Sequence, residues 1–307
     1  MSVVKEIRTN DWYLFIDESG TPEYKWLRRL KQKNNLPIFQ PDPQYANSFA
    51  LIGLLISGDQ LCNKLIPAVK EFKNSCYGDE DKVLHFADML AGIGKFEMYK
   101  NNPALFNKHL SIFVDLLKEV IFNFNLVFID NVKMLNKYIN PAAPYELAPA
   151  VTMEKAAWFI CKVKSNNPNR EIRCWFEARS KDKDEKLKGF MLQEIFLDFT
   201  NGEKVKMINN FPRFKESNDN IKSIRWHIHS LPKDPSRLKI VNYYKEVISY
   251  ELGKALIQGI HVADILVSAY RHLKENQIYL KVKDLEVDPI KNFIYSSEKL
   301  LYEKCLP

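Results

Sequence analysis

The chain has 307 residues, with 45 basic against 38 acidic side chains and a formal charge of +7. That length fits one large domain or two small ones, because a single core stops growing at roughly 250–300 residues. A hydrophobic share of 46% with 19 Phe, 14 Tyr and 5 Trp excludes a wholly disordered chain, and only 10 Gly excludes a collagenous one.

Tyr13-Leu14-Phe15-Ile16-Asp17 is a short aromatic and β-branched run that stops at the polar cluster Glu18-Ser19-Gly20-Thr21-Pro22, which predicts a buried strand ending in a turn. A long loop-like stretch follows to about Tyr45, marked by Pro37, Pro41 and Pro43. Ser48–Ser57 predicts a second strand. Gln60–Cys76 and Ala104–Asn123 carry helical spacing, the latter through Leu105, Phe106, Leu110, Phe113, Val114, Leu117 and Ile121. Leu126–Ile129 predicts a third strand. Beyond the proline-bounded segment Pro141–Pro149 come a helix at Val151–Lys164, a strand at Glu171–Glu177 and a helix at Glu185–Phe199. Short strands are expected at Lys204–Ile208 and Ser223–His229, and the C-terminal third, including Leu256–Lys274, reads as helical. The order predicts one mixed α/β domain, with a helical insertion at about 58–125 and a helical extension at about 275–307.

The five cysteines, Cys62, Cys76, Cys161, Cys174 and Cys305, are widely spaced and form no C-x-x-C pair, so buried reduced thiols are expected. Met1–Trp12 lacks an apolar signal core, and the longest apolar run, Phe49–Ile56, is far short of the roughly 20 residues that cross a bilayer. The expectation is a cytoplasmic chain without a membrane partner.

Four acids stand where chemistry gathers. Asp17 lies just past a buried strand, where open α/β sheets place their sites, and Glu18 doubles the negative charge; a turn or cap role is the plain alternative. Arg173-Cys174-Trp175-Phe176-Glu177 is a second apolar strand that ends on an acid, followed by Arg179. Asp264 sits in the small and apolar helix Gly259-Ile260-His261-Val262-Ala263-Asp264-Ile265-Leu266, where an unpaired charge costs several kcal/mol. A metal or a facing base would satisfy it. His261, one turn earlier, reads as a supporting group behind the site rather than a ligand. Glu154, taken by itself, is a surface acid early in its helix.

Together these segments resemble the bacterial and phage family catalogued as DUF 3800, whose members resemble ribonuclease H-like nucleases. The marks are the early Phe-Ile-Asp-Glu-Ser-Gly strand end, the mid-chain strand ending in an acid, and the late Gly-x-x-x-Ala-Asp helix, spanning Tyr13 to about His272. The resemblance implies a ribonuclease H-like mixed sheet flanked by helices. It also implies hydrolysis of RNA or DNA phosphodiesters, in mobile-element or antiphage contexts. Asp17, Glu154, Glu177 and Asp264 match the metal-holding acids, and Glu18 belongs to the family motif. The chain departs at Glu177, where the wider superfamily has Asp; Asp182 or Asp184 is the candidate to compensate.

The residue chemistry agrees with a hard-metal site. Oxygen ligands without cysteine and with few histidines select Mg²⁺ or Mn²⁺, and two such ions roughly 3.5–4 Å apart suit phosphodiester hydrolysis. Converging carboxylates without metal predict raised pKa values. Lys25, Arg28, Arg29, Lys31 and Lys33, five basic residues in nine with Trp26 and Leu27 interleaved, form a candidate nucleic-acid contact with Arg179; a solvated basic helix is the alternative. Two rivals stand beside the nuclease. One is an aspartate phosphatase of the haloacid dehalogenase type, weakened by Ser19 where a second Asp is wanted. The other is a non-catalytic module that binds nucleic acid or a protein partner on the same fold.

Overall fold

A computed structural model describes residues 6–41, 46–162, 169–179, 185, 187, 223–234, 248–279 and 288–307. The apolar run at Phe49–Ile56 forms most of β2 (Ser48–Ser57), every residue of which is buried except the last. A strand covered on both faces has no reason to alternate, which is why its sequence is apolar throughout. β2 pairs antiparallel with β1 (Trp12–Gly20) on one side and with β3 (Asn123–Asp130) on the other. β4 (Asn169–Glu177) runs parallel to β1, and β5 (Ser223–Leu231) runs parallel to β4. A last strand, β6 (Leu300–Leu306), runs parallel to β3. The result is one mixed six-stranded sheet in the order β5-β4-β1-β2-β3-β6.

Helices cover both faces. After β1 comes α1 (Lys25–Lys33). A helical segment then breaks into α2 (Gly58–Gln60), a π-turn at Leu61–Leu65 and α3 (Ile66–Tyr77). Next are α4 (Phe86–Ala91), a 3₁₀ segment at Gly94–Tyr99, α5 (Pro103–Lys118), α6 (Asn131–Lys137) and α7 (Pro144–Lys162). The chain closes through α8 (Tyr250–Tyr279), α9 (Asp288–Ser296) and β6. Alternation along β1 divides these helices. Leu14 and Ile16 point into a core with Leu27, Leu135, Val151, Ala156 and Ile160 of α1, α6 and α7. Tyr13 and Phe15 point into the opposite core with Val69, Phe72, Phe113, Ile260, Ala263 and Phe293 of α3, α5, α8 and α9.

Three expectations change. The α5 helix stops at Lys118 because Val120, Phe122 and Phe124 already alternate inward toward β3, while α7 begins at Pro144 and carries Pro149 inside it. There the burial of Ala148 and Val151 outweighs the one backbone hydrogen bond a proline forfeits. The expected helical close ends instead in β6, whose backbone completes the outer side of β3. The expected helix at 185–199, apart from Glu185 and Leu187, and the strand at 204–208 lie outside the described residues, as do Asp182 and Asp184. The described cysteines, Cys62, Cys76, Cys174 and Cys305, are free thiols. Among the described residues one helix, Tyr250–Asn276, is long and apolar enough to cross a membrane, and 89% of its apolar window is buried inside the fold.

Candidate functional site

Strand direction assembles the site. β1, β4 and β5 are parallel, so their C-terminal ends meet at one edge, and the pairing of Ile16 with Phe176 brings Asp17 beside Glu177. Both acids share the face of Phe15 and Trp175, the face that α8 covers. On β5, Glu177 pairs with Leu231, and the alternation His229, Leu231, Lys233 carries a lysine to the same face. From above, α8 supplies Asp264. The helix lies so close because Gly259 rests on the Phe15 ring: a Cβ there would stand 2.4 Å from a ring carbon. The Gly-x-x-x-Ala-Asp pattern is therefore a packing device that lowers a carboxylate onto the strand ends.

Lys233 is the centre of the cluster. Its Nζ lies 3.3 Å from Asp264 Oδ1, 3.6 Å from Asp17 Oδ2 and 3.7 Å from Glu177 Oε2. Lys233, Asp17 and Asp264 are nearly inaccessible, while the Glu177 side chain is 35% exposed and forms the open side. Each buried acid is also oriented by the main chain. Asp17 Oδ1 accepts the Glu18 N–H at 2.9 Å, and Asp264 Oδ2 accepts the Phe86 N–H at 2.7 Å, at the start of α4. Asp17 Oδ2 is buried with no hydrogen-bond partner among the described residues.

The electrostatics follow from this arrangement. Burial raises the Asp17 carboxyl well above the usual aspartate range; Lys233 pulls it back, and Asp264 and Glu177 push it up again. Burial works to lower the Lys233 ammonium, but the three acids outweigh it and hold the lysine above its ordinary value. Lys233 is therefore charged. With every carboxylate ionised the cluster would carry a formal −2.

Beneath the site lies a second buried pair. His261 is fully buried one turn before Asp264, and its Nδ1 is 3.0 Å from Nζ of Lys73, a fully buried lysine of α3. Burial lowers both groups, Lys73 to about 7 against the pull of Asp81 and Asp79, and His261 well below the usual histidine value, helped by the Lys73 charge. The other ring nitrogen, Nε2, is buried with no hydrogen-bond partner among the described residues.

Not every expected residue arrives at the cluster. Glu18 points to the opposite face and pairs with Arg179, whose guanidinium lies 5.0 Å over the Tyr145 ring. Arg179 is thus committed to Glu18 as well as standing at the strand ends. Glu154 is carried on α7 against the far face of the sheet, where its Oε1 is 3.6 Å from Lys155 Nζ and burial raises its carboxyl. The sheet separates it from Asp17, because a residue on α7 packs against Leu14 and Ile16 while Asp17 faces α8. Lys25, Arg28, Arg29 and Lys33 are exposed on α1 and make no ion pair among the described residues; Lys31 lies 4.4 Å over the Phe39 ring. Lys233 itself escaped the sequence reading. The signal was present, since it lies just past the end of a strand, as Glu177 lies at the end of another.

The three acids offer hard oxygen donors only, one of them with a buried oxygen that has no hydrogen-bond partner among the described residues, and fully ionised they would outweigh the charge of Lys233 by two. Oxygen donors are the kind that hard divalent cations such as Mg²⁺ or Mn²⁺ take. In this conformation the oxygens close on the ammonium, and among the described residues no group of three or more Asp, Glu, His or Cys stands at metal-holding spacing. Comparison with protein-family models, characterised proteins and solved structures finds no match to this chain.

Proposed function

We propose that the chain is a ribonuclease H-like, metal-dependent nuclease that hydrolyses phosphodiester bonds of RNA or DNA at Asp17, Glu177 and Asp264. The observation that carries this reading is the convergence of the three acids, from two parallel strands and a covering helix, on the Lys233 ammonium. The sheet supports it. The run β3-β2-β1-β4-β5, antiparallel on one side of β1 and parallel on the other, follows the ribonuclease H plan.

Two divalent ions at such a site supply Lewis acidity toward a phosphodiester and offset its developing charge. The protein's part is preorganisation. The Glu18 and Phe86 N–H groups fix the Asp17 and Asp264 carboxylates, so they need not reorient as charge develops. Glu177, on the open side, is the ligand able to adjust to the incoming strand. The exposed bases of α1, which begins a few residues after β1 ends, are suited to the phosphate backbone, with Arg179 holding Glu18 at the same edge.

The test is incubation of the purified chain with single- and double-stranded RNA, DNA and hybrid in Mn²⁺ or Mg²⁺, beside Asp17→Asn and Asp264→Asn. The expected result is metal-dependent cleavage that falls at least about a hundredfold in each variant. Cleavage equal in parent and variants, or none by the parent, contradicts the nuclease. Nucleic-acid binding that survives both substitutions without cleavage would assign the fold to a binding module.

A further inference from the structure

Lys233 is unlike an ordinary salt-bridging lysine in two respects. Its ammonium is shared among three carboxylates at 3.3–3.7 Å, longer than a charge-assisted hydrogen bond of about 2.8 Å, so it is centred on the cluster without being committed to one oxygen. Its two ends are also held differently. Its main chain follows directly on β5, which is held by β4 up to the Glu177–Leu231 pair and by the Ala178 N–H donated to the Leu231 carbonyl. The ammonium is carried on a flexible four-carbon stem. A fixed backbone with a rotatable charged arm is suited to exchanging one anionic partner for another.

We propose that Lys233 is a resident counter-cation, holding the acid cluster together in the metal-free protein and surrendering that place when a divalent ion loads, after which its ammonium turns to the phosphate of the bound nucleic acid. The inference rests on the metal-dependent reading of the same three acids. An ammonium and a divalent ion repel strongly at the distances these carboxylates would impose, so the same oxygens serve one or the other. The open side at Glu177 supplies the direction of exit, toward the solvent and the substrate. The paired end of β5 keeps the arm's base in place, so that the released charge stays at the site.

The full-length chain tests this by calorimetric titration with Mn²⁺ and by brief acetylation with acetic anhydride, read by mass spectrometry with and without Mn²⁺. Lys233 is expected to be protected in the metal-free protein and to react about tenfold faster once Mn²⁺ is bound, while exposed Lys25 is unchanged. Mn²⁺ binding that leaves Lys233 protected overturns the proposal and spares the metal-dependent reading. The absence of any Mn²⁺ binding overturns both. In Lys233→Met, which removes the competing charge, Mn²⁺ is expected to bind about tenfold more tightly, and nucleic acid held in non-cleaving Ca²⁺ about tenfold more weakly. Unchanged or weaker Mn²⁺ binding by a folded Lys233→Met protein contradicts the exchange, and should that variant fail to fold, the acetylation of the parent decides.

Discussion

Replacing Asp17 with Asn removes a titratable carboxyl from the acid cluster and keeps the shape of the side chain. In the folded, metal-free protein, burial holds the Asp17 carboxyl well above its ordinary value, aided by Asp264 and Glu177 and opposed by Lys233. In the unfolded chain it titrates near the usual value of about 3.9. Between those two values the unfolded state releases its proton first. The native state thus holds more protons, and the Asp17 contribution to stability falls as pH rises. The slope is at most about 1.4 kcal/mol per pH unit and vanishes outside the window. Asparagine contributes no such slope, while the raised Glu154 is common to both proteins and cancels in the difference. Urea unfolding in EDTA across pH 4–8 should show parental stability declining relative to Asp17→Asn as pH rises. A flat difference, or one that rises, would refute the electrostatics assigned to the cluster.

Other consequences can be measured in the same way. Lys73, lowered by burial to about 7, titrates below its unfolded value, so the parent should gain stability over Lys73→Met as pH rises above 7, by at most about 1.4 kcal/mol per pH unit in urea unfolding. Asp264→Ala strands the buried Phe86 N–H while Lys233 keeps Asp17 and Glu177, so its unfolding free energy should drop by about 1–3 kcal/mol. Gly259→Val drives a side chain into the Phe15 ring, and should cost about 1–3 kcal/mol while displacing Asp264 and abolishing cleavage. Glu154→Gln, across the sheet from the cluster, should leave Mn²⁺ affinity within about twofold by calorimetry. Changing Lys25, Arg28, Arg29 and Lys33 to Gln should flatten the logarithmic salt dependence of nucleic-acid binding, by about 0.9 for each phosphate that is no longer neutralised.

What could be read from the sequence was what local chemistry specifies. The Tyr13–Asp17 and Arg173–Glu177 runs announced strands, because an apolar β-branched or aromatic run is a local signal. β4 does end on Glu177, but β1 runs on through Glu18 and Ser19 to Gly20, paired with β2, where a turn was expected. The helix around Asp264 was legible for the same reason, and its glycine turned out to matter through the Phe15 contact. Facing was harder. Glu154 and Asp17 belong to correctly placed elements, yet whether α7 or α8 covers the face of Asp17 depends on how the chain crosses the sheet, which no spacing records. Glu18 was separated from Asp17 by the period of two alone, a rule that was available. β6 was missed because its pairing with β3 is parallel and distant in sequence. Lys233 was missed because acids were sought and their counter-charge was not.

A crystal structure with Mn²⁺, using the metal's anomalous signal, tests the central claim most directly. The account predicts manganese within about 2.0–2.5 Å of carboxylate oxygens from Asp17, Glu177 and Asp264, with the Lys233 ammonium moved away and Glu154 uninvolved. Lys233 still bridging the three acids at saturating Mn²⁺, with no anomalous peak among them, would contradict it.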